Sequence, residues 1–417
     1  MSNKFFPIKT DTACQLKWNW STIRFYNGTT SSCHRTNSDT ITVDTFDQFH
    51  NTPKKIAHRK DMLDGKWPGD GCEYCKNIED AGGHSDRMLH LTIPNQTPPE
   101  LDIDPEATEV TPQIVEIYFD NTCNMSCIYC WDEFSSKIQQ ENIRHGRFEK
   151  QGVVIENYAN KVNNIDALTD RFWQWMEQHA QEIRCLHILG GEPFYQKQFE
   201  TCLDFFEQHP CQQLELTVVS NLMIPDKKFQ TLIKRLKYLV SRRHLARFDL
   251  TASIDCFGPE QEYVRYGLDL AQWKRNFEHL CAQKWITLKI NQTLSTLTIK
   301  TIPDLLKYVN DLRTNRKIEH YFSTTVMTYK FLHPEIFGTG FFDNDFENIM
   351  QCMPQNSETQ LIARDYMQGI QQQINSKLRD QEKINQLAIF LDEIDRRRNL
   401  DWKQTFPWLV KELINVV

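Results

Sequence analysis

From residue 113 to about residue 330 the chain alternates short apolar runs with amphipathic segments, and that rhythm limits the fold more than any single motif. The runs are IVEIYF (114–119), IRCLHIL (183–189), LELTVV (214–219), FDLTASI (248–254), WITLKI (285–290) and HYFSTTV (320–326). Helical patterns lie between most of them, for example LTDRFWQWMEQHAQ (168–181) and FQTLIKRLKYLV (229–240). A strand that is apolar along its whole length must be covered on both faces, so repeated βα units of this kind imply a parallel sheet wrapped by helices. Six such strands are too few for a closed eight-stranded barrel. The expectation is an α/β fold with a partial (β/α)6 TIM-like barrel.

The flanking regions read differently. In residues 1–93 the stretch 14–93 is rich in Trp, Cys, Gly and turn residues, and within it WSTIRFYNGTTSSC alternates as a β-hairpin does, with Asn27-Gly28 supplying the turn. This Cys-rich hairpin region is expected to be a small N-terminal domain. Residues 94–112 are proline-rich, acidic and aperiodic, which makes them a linker. Residues 132–165 read as a polar insertion in the 113–330 core, and residues 331–417 as a helical C-terminal region. The run Arg396-Arg397-Arg398 reads as a solvated helical face.

The opening MSNKFFPIKTDTACQ lacks the apolar core of a signal peptide, and no window approaches a membrane span of about 20 apolar residues. A cytoplasmic protein with no membrane partner is expected. A net charge of −7 argues against nucleic acid as a partner. In a reducing compartment, clustered thiols among the 13 cysteines are metal ligands more often than disulfides, and the odd count excludes complete pairing.

Two cysteine sets stand out. Cys123, Cys127 and Cys130 share one loop, YFDNTCNMSCIYCWDE, immediately after the first core strand. Loops at that edge of a parallel sheet are where ligands bind. Three thiolates can hold three corners of a [4Fe–4S] cubane and leave one iron open, whereas structural zinc wants four protein ligands. His145 is a candidate fourth, but nothing nearer offers one, and the spacing favours the cluster. Upstream, Cys14, Cys33, Cys72 and Cys75 make a four-thiolate set if the hairpin closes; zinc and [4Fe–4S] are both compatible with it.

CNMSCIYC resembles the cluster motif of the radical S-adenosylmethionine (SAM) superfamily, with Tyr129 in its aromatic place. Further motifs follow in the family's order. LHILGGEPF places Gly190, Gly191, Glu192 and Pro193 at the end of the second strand, similar to the segment that holds the SAM amino group. TVVSNL ends the third strand with Ser220 and Asn221. LTASIDCFGPEQEYVRYG resembles the Ser-x-Asp segment followed by Arg: Ser253 and Arg265 would bind the SAM carboxylate and Asp255 would line the pocket. Asn291 ends the fifth strand as a further cofactor contact. Tyr129 is implied to shield the cluster, its backbone meeting the adenine. The N-terminal cysteines, with WPGDGCEYCKNIEDAGGHSDR (67–87), resemble the twitch form of the SPASM auxiliary-cluster domain. Better-known members carry that domain after the core. Here it precedes it, and the two sites are expected to meet in space.

The resemblance implies two [4Fe–4S] clusters, SAM, and an external electron donor such as flavodoxin or ferredoxin. Reduction of bound SAM would give a 5′-deoxyadenosyl radical that takes a hydrogen from the substrate. The leading expectation is oxidative modification of a ribosomally made peptide, with the auxiliary cluster accepting the remaining electron. The alternatives are oxidation or rearrangement of a small sugar- or cyclitol-type molecule, and a non-catalytic electron-relay protein. Cys256, beside Asp255 at a strand end, is a candidate hydrogen-atom donor. Cys185 and Cys202 read as core residues.

Overall fold

A row of apolar residues in register runs through the main sheet: Ile23, Ile117, Ile188, Val218, Leu250 and Leu288 are successive partners on six neighbouring strands. None of the six is more than 1% exposed. In the computed structural model, which describes residues 10–80, 85, 87–88, 104, 107–324 and 329–413, this row is the spine of a nine-stranded sheet. Most of the linker expected over 94–112 lies outside the described residues.

The strands are β1 (Trp20–Arg24), β2 (Thr29–Ser31), β3 (Asp39–Thr40), β4 (Ile114–Tyr118), β5 (Ser126–Cys127), β6 (Phe148–Lys150), β7 (Val153–Ile155), β8 (Cys185–Leu189), β9 (Cys211–Ser220), β10 (Leu245–Ser253), β11 (Arg265–Tyr266), β12 (Ile286–Leu294) and β13 (Glu319–Thr324). Their order in the main sheet is β13-β12-β10-β9-β8-β4-β1-β2-β3. Strands β4, β8, β9, β10, β12 and β13 are mutually parallel and adjacent in chain order. Five helices connect them: Ile165–His179, Lys197–Gln208, Asp226–Ser241, Leu270–Cys281 and Ile302–Arg313. The six core runs named from sequence are these six strands, and residues 325 and 326 of the last run lie outside the described residues.

The N-terminal hairpin forms as its alternation and Gly28 (φ +64°) require, β2 lying antiparallel to β1. It does not stand apart from the core. Strand β1 pairs in parallel with β4, and Ile23, Phe25, Phe46 and Phe49 share one hydrophobic core with Val115, Ile117 and Phe172. The helix Pro53–Leu63 is fixed beneath the hairpin by polar bonds. Thr52 caps its first turn, and buried Lys55 donates to Ser21 Oγ (2.9 Å), Thr30 Oγ1 (2.8 Å) and the Phe49 carbonyl (2.6 Å). Such groups are kept inside only when hydrogen-bonded.

The insertion folds as the helix Ser136–His145 and the hairpin β6–β7. Helices Asp343–Cys352, Glu358–Asn375, Gln381–Arg398, Trp402–Thr405 and Pro407–Leu413 form a second core, which takes in Ile128, Val153, Ile155, Tyr263 and Val264. The solvated face expected for the arginine run is corrected at two of its three positions. Arg397 and Arg398 are buried: Arg397 Nε meets Glu393 (2.6 Å) and its Nη1 meets Asn142 (3.1 Å), while Arg398 Nε meets Glu141 (2.9 Å).

Leu250 lies mid-row with strands on both sides, so Leu250→Ala leaves a cavity the sheet cannot close. A loss of about 2–5 kcal/mol is expected, read as a lower denaturant midpoint at unchanged slope.

Candidate functional site

The loop that follows β4 is stitched to several neighbouring elements, which fixes where its thiols stand. Its Ser126–Cys127 segment, β5, pairs antiparallel with β11, placing Cys127 opposite Arg265 and Ser126 opposite Tyr266. Ile128 N donates to the Val264 carbonyl (2.8 Å), and Asn124 Nδ2 to the Met223 carbonyl (2.7 Å). The insertion helix holds the other side, through Cys123 N to Ser136 Oγ (3.1 Å) and Ser135 Oγ to the Met125 carbonyl (2.7 Å).

Burial, with Cys127 adding to it, pushes the Cys123 thiol up to about 12. Burial also raises Cys130, with Cys127 and Cys123 adding to it. Cys127 is raised by burial, while Arg265 and Arg398 pull it back. The three thiols therefore feel one another, and ionising them together requires positive charge among them. Two donors already approach them: Arg265 Nη1 is 4.0 Å from Cys127 Sγ, and Asn221 Nδ2 is 4.0 Å from Cys123 Sγ. His145 ends the helix whose first residue touches Cys123, nine residues or about 13 Å further along.

Beside the loop, β8 runs into Gly190 (φ +80°) and Gly191 (φ +55°). A Cβ on Gly191 would collide with the Thr122 carbonyl oxygen, so this approach of two backbones admits only glycine. Glu192 N donates to that same carbonyl (2.8 Å). The Glu192 side chain caps the short 3-10 turn Pro193–Tyr195 and is 1% exposed. Its Oε1 accepts from Ser220 Oγ (2.8 Å) and Phe194 N (3.3 Å), and its Oε2 from Asn221 N (2.7 Å). Burial pushes the carboxyl up to about 7 against these donors. Among the described residues no lysine, arginine or histidine forms an ion pair with it.

Ser253 ends β10 opposite Asn291 of β12. Two residues on, Asp255 is fully buried and takes Arg265 in a fork, Nε to Oδ2 and Nη2 to Oδ1, both 2.8 Å. Tyr129 Oη donates to Oδ2 (2.6 Å) and Thr293 N to Oδ1 (2.9 Å). Arg265, expected together with Ser253 to bind the SAM carboxylate, is bound to Asp255 with its remaining nitrogen toward Cys127. Sequence reasoning missed the Tyr129–Asp255 bond and the role of Gln261, whose Oε1 accepts from the backbone N of Asp255 (3.0 Å) and Cys256 (2.8 Å). Cys256 is sealed in the core at 0% exposure, and burial raises its thiol well above the ordinary value.

The four N-terminal cysteines also come together. Burial pushes Cys14 up to about 12, with Cys33 and Cys72 adding to it; Cys72 is raised by burial, and both Cys33 and Cys75 add to that. Lys17, 2% exposed and 2.9 Å from His58 Nδ1, pulls both thiols back. Cys14, Cys33 and Cys72 of this set pack with Trp20, Ile114 and Cys185, the first residues of β1, β4 and β8. The three-cysteine loop leaves the other end of β4. The expectation that the two sets meet in space is therefore corrected: the parallel strands, at about 3.3 Å per residue, stand between them. Among the described residues, no group of three or more His, Cys, Asp or Glu side chains is arranged to hold a metal ion as it stands. No described helix is long and apolar enough to cross a membrane.

No family model matches the chain, and neither does any curated protein. Among solved structures it is similar to native anSMEcpe with bound AdoMet at 14% identity and a TM-score of 0.33, over 57% of this chain and 58% of that one. It is similar to SuiB of Streptococcus suis at 13% and 0.35, over 74% and 61%. A third likeness, at 13% and 0.32 over 57% of each chain, is to native anSMEcpe with bound AdoMet and Cp18Cys peptide. The chain thus spans less than two thirds of the length of each.

Glu192 gives a testable pH dependence. Its folded-state value of about 7 lies above the ordinary 4.5, so the stability tied to its protonated form is complete below about 4.5 and lost as pH rises through about 7. Glu192→Gln should flatten that part of the melting-temperature profile in the apo protein.

Proposed function

We propose that the chain is a radical SAM enzyme, with the ends of β4, β8, β9, β10 and β12 as its cofactor face. The observation that carries this reading is the meeting, at one sheet edge, of the Cys123/Cys127/Cys130 loop and a buried carboxylate, Glu192, that makes no ion pair among the described residues. Three mutually coupled thiols suit an iron–sulfur group with one iron left open, and Glu192 suits the amino group of SAM. When bound, the cluster and SAM together supply the radical that takes hydrogen from substrate.

Each residue then has a task. Gly190 and Gly191 let the backbone turn against Thr122, and Pro193 starts the turn that Glu192 caps. Ser220 and Asn221 hold the Glu192 carboxylate in one orientation. Asp255 sets Arg265 toward Cys127, and Tyr129 closes over the same pair. Ser253 and Asn291, side by side on β10 and β12, are offered to the SAM carboxylate and ribose side. The sequential order of the six core strands is that of a partial (β/α)6 barrel.

For the N-terminal cysteines we propose a second [4Fe–4S] cluster of the twitch kind, and oxidative modification of a ribosomally made peptide as the reaction. At the far end of the sheet from the cofactor face, this cluster would pass electrons to or from a flavodoxin or ferredoxin without walling the substrate chamber.

Anaerobic reconstitution should yield about eight irons per chain, two clusters of four. With SAM and a strong reductant, 5′-deoxyadenosine should form and be abolished by Cys127→Ala. Zinc in place of iron at Cys14, Cys33, Cys72 and Cys75 would remove the second cluster. Absence of 5′-deoxyadenosine from fully iron-loaded protein would remove the enzyme reading itself.

A further inference from the structure

Arg398 is the last residue of the helix Gln381–Arg398, far from the core motifs in sequence. Its side chain is 3% exposed and forks onto Glu141 through Nε (2.9 Å) and Nη2 (3.1 Å). The guanidinium lies over the Tyr266 ring, 5.3 Å from its centroid, and the Tyr266 hydroxyl donates back to the Arg398 carbonyl (3.4 Å). Tyr266 and Arg265 form β11, which is paired to the thiol loop at Ser126 and Cys127. The third nitrogen, Nη1, is buried and has no acceptor among the described residues.

An orphaned donor of this kind is uncommon. Leaving a buried polar group unpaired costs about 1–3 kcal/mol, more for a charged one, and folded proteins seldom do so without a reason. The same guanidinium packs on Tyr266, the neighbour of Arg265 in the strand to which the thiol loop is paired. Each of these arginines is neutralised by one carboxylate, Asp255 or Glu141, and each keeps one nitrogen outside that fork. For Arg265 that nitrogen is the one 4.0 Å from Cys127 Sγ. The two pairs have the same form, and both border β11, Arg265 as a member of it and Arg398 through the ring of Tyr266.

We propose that Arg398 Nη1 donates to an anionic acceptor held at the Cys123/Cys127/Cys130 loop, so that the C-terminal helix completes the cofactor site. The inference rests on the radical SAM reading above. The acceptor is either a sulfur of the cluster and its thiolates or the carboxylate of SAM. A charge-assisted hydrogen bond to either is stronger than a neutral one.

The test uses the reconstituted full chain and electron paramagnetic resonance. The wild type must first show a reduced iron signal that SAM alters and Cys127→Ala removes; if it shows none, the radical SAM reading fails, and this inference with it. Arg398→Lys keeps the charge and the pairing with Glu141 but has no forked nitrogen left for the loop. Where a sulfur is the acceptor, its SAM-responsive cluster is harder to reduce, with a reduced-to-oxidised ratio about tenfold lower at a fixed potential without SAM. Where the SAM carboxylate is the acceptor, that ratio stays and SAM binds about tenfold more weakly. The double variant Glu141→Gln/Arg398→Met, compared with Glu141→Gln alone, should show the same change. The ion pair is absent from both, so a purely structural arginine would leave that comparison flat. Folded, iron-loaded variants with unchanged ratio and unchanged SAM affinity overturn the assignment while leaving the radical SAM reading intact.

Discussion

The buried pair of Asp255 and Arg265 is the interaction on which the site's geometry depends. Both are removed from water, Asp255 wholly, and each hydrogen-bonding position of the carboxylate is taken: by the guanidinium fork, the Tyr129 hydroxyl and Thr293 N. A pair this buried adds little net stability over an apolar substitute, yet losing one partner costs about 3–5 kcal/mol because the other is stranded. Its value here is positional. It locks the end of β10 to β11, and β11 carries the thiol loop on its edge.

The sheet separates two kinds of thiol environment. At the C-terminal edge of the core strands the three thiols sit among polar strand ends, with donors approaching Cys123 and Cys127. At the opposite end Cys14, Cys33 and Cys72 share an apolar nest with Trp18, Trp20 and Met62, and Lys17 is the buried cation beside Cys14 and Cys72. Because β1 is hydrogen-bonded to β4 along its whole length, the distance between the two sets is fixed by strand geometry and not by a flexible joint. A group bound at one end cannot swing toward the other. Any communication between them has to cross a rigid, well-packed layer.

The parts of this arrangement legible in sequence are those set by local physics. Continuous apolar runs mark strands, and their ends shift by only a few residues because the ladder continues past the apolar stretch, as it does where β12 extends through the alternating Asn291 to Leu294. Gly190 and Gly191 announce a turn that nothing larger can make. What stayed hidden depends on contacts distant in sequence. That β1 would join β4 requires a pairing across roughly ninety residues, most of it a stretch with no periodic signal. The burial of Arg397 and Arg398 depends on Asn142 and Glu141, some 255 residues away. A run of three arginines on a helix ordinarily faces water, and only the insertion helix, placed by the fold, changes that. That Arg265 pairs with Asp255 was likewise hidden, because ten residues and a helix separate them in the chain.

The C-terminal helices are for the same reason part of the site and not a tail. Ile128, which separates Cys127 from Tyr129, is 2% exposed and packs in the same core as Phe390, Ile394 and Trp402. Tyr263 and Val264, just before Arg265, belong to that core too, and the Tyr263 hydroxyl donates to Asp395 (2.7 Å). The loop that carries three thiols is therefore held from its polar side by strand ends and from its apolar side by helices formed more than 200 residues later. Free of those helices, Ile128, Tyr263 and Val264 would face water and β5–β11, a ladder two residues long on each side, would have little to keep it closed. The order of the thiol loop is bought with C-terminal packing, which ties the chemistry of the loop to the folding of the whole chain.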